Sequence, residues 1–245
     1  MSAALEPHAI AWWARAPLRI WVRLRSSELH WIPRPTDEPR VRVEGPDPRS
    51  ILVIGSGAAT GWGVNIHALS LIGGIARAIR GDERRGADVE GIIDPGMTTA
   101  SAITSLPDTI GPHEAIVVVL GVNDVLALTP PRRWLVAFTA LLDAVRARTD
   151  APILVVGIQP ISSIPIFHRP AARRLDRYAE ELNRCMRTIC STRAGFAFVA
   201  LPAVRSADPQ SYRDGLAYLE WGARIAREIP GAEPEGRPGH DRQET

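Results

Sequence analysis

Ser56 is the one hydroxyl in a glycine turn, Gly55-Ser56-Gly57, that closes the apolar run 51–54. A hydroxyl at such a turn can attack an acyl carbon when a base takes its proton and nearby donors receive the developing negative charge. It can equally act as a turn residue or helix cap that satisfies backbone N–H groups. Two further turns carry residues with chemical potential. One is Asp94-Pro95-Gly96; the other is Gly121-Val122-Asn123-Asp124, which closes the apolar run 116–120. For a base, His168 lies in the segment 162–170, beyond a third strong apolar run at 153–158. A loop imidazole there is placed to meet a ligand, or simply to be solvated. His67, eleven residues past Ser56, falls inside a helical pattern and is expected to face away from the strand ends.

Positioning these turns requires a sheet. The runs 51–54, 116–120 and 153–158 are continuous and rich in β-branched residues, as buried parallel strands are. Weaker strand signals lie at 89–93 and 196–200, and helical patterns fall between the strands at 64–79, 131–148, 171–192 and 216–229. Pro130-Pro131 opens the second of these, where proline suits a helix start. Alternating strand and helix predicts a three-layer α/β/α sandwich with a mostly parallel five-stranded sheet. Ligands gather at the carboxyl ends of such strands, which is where all three turns would converge.

These blocks, taken in order, resemble the SGNH (GDSL-type) esterase family over roughly residues 49–229. Gly55 to Gly63 matches Gly-Asp-Ser-x-x-x-Gly-x-Gly, except that Ser56 stands at the Asp and Gly57 at the nucleophile. The resemblance implies that Gly96 is the oxyanion-hole glycine and Asn123 the side-chain oxyanion donor, with Asp124 bonding backbone groups to hold the Asn123 turn. In the family's last block, Asp-x-x-His-Pro-Ser-x-x-Gly-Tyr-x-x-Trp, anchoring on Tyr218 and Trp221 puts Tyr212 at the catalytic His. The Asp then falls on Pro209, one residue from Asp208. Gly57 has no side chain with which to attack, and a phenol of pKa about 10 is a poor general base at neutral pH. Two triad roles are therefore vacant on this alignment.

Composition removes other chemistries. All 29 basic residues are Arg, so neither a Schiff-base lysine nor a phosphate-loop lysine exists in this chain. A GC-rich coding bias accounts for that absence. The net charge of +2 is too balanced to point to nucleic acid. Gly55-x-Gly57 begins like a dinucleotide fingerprint, but position 60 is Thr and no acid follows where ribose recognition would need one. No cofactor is implied. No His-x-x-x-His or carboxylate cluster implies a metal. Cys185 and Cys190 are expected to be core thiols of a protein in a reducing cytoplasm.

With 45% hydrophobic residues the middle of the chain can bury a core, so the domain is set at 49–230. Residues 1–48 form a Trp/Arg- and Pro-rich arm, and 231–245 a Gly-, Pro- and charge-rich tail expected to be disordered. Within the arm, 9–25 could lie on a membrane surface. Its shortness and its break at Pro17 favour packing onto the domain instead. The arginines Arg173, Arg174 and Arg177 are expected to pair with Asp176, Glu180 and Glu181 along one helix face.

Two functions follow. One is an acyl-ester hydrolase or acyltransferase with a rearranged triad: Ser56 as nucleophile, Gly96 and Asn123 as donors, and His168 as candidate base. The other is a catalytically inactive protein that keeps the pocket, with Gly55, Gly57, Asp124 and Tyr212 facing an acylated or glycosylated ligand or a protein partner.

Overall fold

The computed structural model describes residues 12–26, 32–167, 172–202 and 215–231. Six strands form one sheet: β1 (Arg40–Val43), β2 (Arg49–Gly55), β3 (Ala87–Ile93), β4 (Ala115–Val119), β5 (Ile153–Val156) and β6 (Phe196–Val199). Their spatial order is β1-β3-β2-β4-β5-β6. Every neighbouring pair is parallel except β1 with β3, which is antiparallel. The central strands β2 and β4 are buried on both faces, which is why their sequences run apolar without alternation.

The two faces carry separate cores. Leu52, Ile54, Ile116, Val118, Ile153 and Val155 face one side, where α1 (Trp12–Ser26), α3 (Thr99–Ser105), α5 (Pro131–Arg146) and α6 (Ala172–Ser191) contribute the covering side chains. The short α4 (Val122–Leu126) adds Val125 to this side. Ile51, Val53, Val117, Val119, Leu154 and Val156 face the other, under α2 (Leu71–Ala78) and α7 (Gly215–Arg227). Here the two helices cross backbone against backbone. A Cβ on Gly74 would lie 2.1 Å from the Tyr218 carbonyl oxygen, and one on Gly222 would lie 2.2 Å from the Gly74 carbonyl carbon.

Three sequence expectations need correction. The sheet has six strands, not five: Arg-Val-Arg-Val at 40–43, inside the expected proline-rich connector, forms an edge strand. An edge position tolerates prolines on either side of it, because strand hydrogen bonds are needed on one side only. The expected helix 64–79 is split. The Asp37 carboxylate takes the His67 N–H at 3.0 Å, a 3₁₀ turn forms at His67–Leu69, and α2 begins only after Ser70. Helix α1 runs unbroken through Pro17. Sixth in the helix, that proline forgoes one intrahelical hydrogen bond, and the burial of Leu18 and Val22 just beyond it holds the helix in place.

Candidate active site

The carboxyl end of β2 sets the geometry. Ser56 is extended (φ −143°, ψ −170°) and donates its N–H to the Val119 carbonyl at 2.9 Å, which continues the β2–β4 pairing by one residue. This turns its side chain into the interior, where Ser56 is only 1% exposed and Oγ has no hydrogen-bond partner among the described residues. The hydroxyl lines a cavity of about 30 Å³ with Val119, Leu120, Val122, Gln159 and Ile164. That volume has room for a water or two beside the hydroxyl. Gly57 follows with φ +60° and opens a 3₁₀ turn. A Cβ at this position would lie 2.5 Å from Val122 Cγ1. The space a nucleophilic side chain would need is taken by Val122.

The two candidate oxyanion donors are both engaged inside the chain. The Gly96 N–H donates to Asp94 Oδ1 at 2.6 Å. Asn123 Nδ2 donates to the Pro95 and Met97 carbonyls, each at 2.8 Å, so both its hydrogens are used. Asn123 thus ties the 94–97 turn to α4. Next to it, Asp124 is 2% exposed and accepts the N–H and hydroxyl of Thr99 on Oδ2, at 2.9 and 2.8 Å. Trp134 Nε1 donates to the same Thr99 hydroxyl at 3.1 Å. Burial raises the Asp124 pKa above the usual carboxylate value, although the threonine bonds pull the other way. This group anchors α3 to α4 and is walled off from solvent.

The three turns meet as expected: Asn123 bonds the 94–97 turn, and Val122 packs on Gly57. The structure does not bring His67 to them as a lining group of the Ser56 cavity. It is buried in its 3₁₀ turn, with Nδ1 3.4 Å from Ser70 Oγ, and burial lowers its pKa. His168, Tyr212, Asp208 and Pro209 lie outside the described residues. Asp176, expected in a helical ion pair, accepts the Ser162 N–H at 2.9 Å and so steadies the segment after β5.

Two residues had no signal in the sequence. Gln159 lines the Ser56 cavity, and Asn183 of α6 clamps the Ile158 peptide, accepting its N–H at 2.7 Å and donating to its carbonyl at 2.8 Å. A lone amide in an amphipathic helix reads as a side chain facing water until the fold turns it inward. A larger cavity of about 530 Å³ lies beside β1, lined by Arg40, Leu52, Glu90, Ile92 and His113 among others, and it includes none of the candidate site residues. Among the described residues, no three His, Cys, Asp or Glu side chains group as a metal site would need.

Residues 55–220 match the model of the GDSL-like Lipase/Acylhydrolase family. Among curated proteins no sequence matches. The fold is similar to the crystal structure of TesA, with a TM-score of 0.56 at 18% identity, covering 76% of this chain and all of that one. The lipase Lip_vut3 from a goat rumen metagenome gives 0.59 at 12% identity, covering 76% of this chain and all of that one. The inhibitor-bound aryl esterase of M. smegmatis gives 0.54 at 18% identity, covering 74% and 98%.

Proposed function

The chain belongs to the GDSL-like lipase/acylhydrolase family, and we propose that it is a non-hydrolysing member. In this reading it keeps the SGNH scaffold and the three strand-end turns to bind an acylated or glycosylated small molecule, not to cleave it. One observation carries the reading: the Gly96 N–H and both Asn123 Nδ2 hydrogens are already bonded within the chain. An oxyanion hole works because its donors are aimed in advance at charge that has not yet formed, and losing one donor typically costs about 10²–10³ in rate. Donors that must first abandon Asp94, Pro95 and Met97 lack that preorganisation. The filled space at Gly57 points the same way.

A second reading rests on the Ser56 hydroxyl, which is buried beside the strand ends without a partner among the described residues. Buried hydroxyls are normally paired, and an orphan invites a functional explanation. A hydrolase built on Ser56 would need Asn123 to turn, and a base from a segment such as that of His168.

Fluorophosphonate labelling and p-nitrophenyl ester hydrolysis, on wild type and Ser56→Ala, separate the two. Absence of both signals in folded wild-type protein supports the non-hydrolysing reading; binding is then read calorimetrically with a short-chain alkyl ester and an alkyl glucoside. Labelling that disappears in Ser56→Ala establishes the second reading. Labelling that survives the substitution sinks both, since the nucleophile is then elsewhere.

A further inference from the structure

Helix α1 has two apolar faces, and the described residues bury only one. Leu18 and Val22 are 5% and 6% exposed in the core, and the Trp21 ring meets Phe167 at 5.7 Å between centroids. Ile20 and Leu24, one turn apart, are 62% and 68% exposed. Each has an arginine immediately before it, Arg19 and Arg23, so a basic stripe runs beside the exposed apolar one. Both arginines are exposed, and neither makes an ion pair with a described residue. The helix carries Arg15, Arg19, Arg23 and Arg25 and no Asp or Glu.

We propose that α1 is an interfacial anchor that lays Ile20 and Leu24 into an anionic lipid surface, with Arg19 and Arg23 on the lipid phosphates. Charge decides the occupant. A second copy packed through the same face would set these arginines against their own equivalents, with no acid on the helix to relieve them. A surface of anionic headgroups complements the stripe, and its acyl boundary accepts the two apolar side chains. The helix lies on the bilayer and does not cross it: fifteen residues at about 1.5 Å each fall short of the roughly 30 Å hydrocarbon core. Its docking point is also informative. Phe167, which Trp21 holds, ends the segment that leaves β5, and Ile164 of that segment lines the Ser56 cavity. An anchored α1 therefore brings the strand-end edge of the domain close to lipid. None of this depends on whether the site hydrolyses anything.

Flotation of the full chain with vesicles tests the anchor, using phosphatidylcholine alone and phosphatidylcholine mixed with phosphatidylglycerol, each at low and high salt. The chain is expected to float with the anionic vesicles and to lose that partition at high salt. Arg19→Gln with Arg23→Gln should weaken partition by about thirtyfold, from about 1 kcal/mol and so roughly fivefold per arginine. Ile20→Ser with Leu24→Ser should abolish it. All four side chains are exposed, so far-UV circular dichroism should stay unchanged; should the apolar pair misfold, the arginine pair decides alone. A folded wild type that ignores anionic vesicles overturns the proposal. So does flotation that neither pair of substitutions reduces, and so does a dimer that Ile20→Ser with Leu24→Ser makes monomeric while the wild type ignores lipid.

Discussion

Val122 governs what position 57 can hold. Restoring a serine there places its Cβ on Val122 Cγ1, on a backbone whose φ of +60° already disfavours a side chain. Gly57→Ser is expected to cost about 1–3 kcal/mol and to confer no esterase activity. Combined with Val122→Ala it should be less destabilised than the sum of the single changes, by about 0.5–3 kcal/mol in a urea-denaturation cycle. Histidines give the residue scale a pH signature. Burial lowers the pKa of both His67 and His113 below the ordinary 6.5, against the weaker upward pull of Asp37 and Glu90 respectively. His113 sits between Ser50 Oγ at 2.9 Å and Glu90 at 3.2 Å. A folded pKa below the unfolded one means that the unfolded chain binds protons first. The stability these residues contribute is therefore full above the unfolded pKa and lost as pH falls through the folded values. Urea midpoints should drop between about pH 7.5 and about pH 5.5, and drop less in His67→Gln with His113→Gln.

Among the elements, the crossing of α2 over α7 is the tightest. Gly74→Ala or Gly222→Ala drives a methyl into backbone at 2.1 or 2.2 Å, with no flexible side chain to yield. Each should cost about 3 kcal/mol in chemical denaturation. Gly81→Ala, with nothing within 4 Å of the added methyl, is the near-neutral control. Elements also mark what the sequence discloses. β2, β4 and β5 were legible because burial on both faces demands continuous apolar runs, β3 and β6 less so because they are only partly buried, and α5 and α6 because their buried positions recur at helical spacing. β1 was not legible: four residues between prolines carry too little pattern, and its pairing with β3 comes from the fold. The break before α2 comes from Asp37, distant in sequence. At the site the three turns could be read from the residues. The direction of the Asn123 amide, the Val122 methyl over Gly57 and the Asn183 clamp could not, because each depends on where another segment lies.

At the scale of the whole molecule, Arg49 joins parts of the chain that are far apart in sequence. Only 2% exposed at the start of β2, it bonds Glu83 at 3.0 Å, Glu114 at 2.9 Å and the Pro230 carbonyl at 2.8 Å. Arg49→Leu strands the buried Glu83 carboxylate and the Pro230 carbonyl, while Glu114 keeps its bonds from Arg85, and should lower unfolding stability by about 3 kcal/mol. The helix crossing has a consequence at this scale too, and it concerns the order of synthesis. α2 is made early, yet the surface against which its glycines close belongs to α7, the last described helix. One face of the sheet, covered by α2 alone, must therefore stay half-open on the ribosome while most of the chain is still being made. A chain released before Gly215 is expected to bind a hydrophobic dye and aggregate where the full chain does neither. In the cell, the interval between α2 and α7 is when this protein most depends on chaperones.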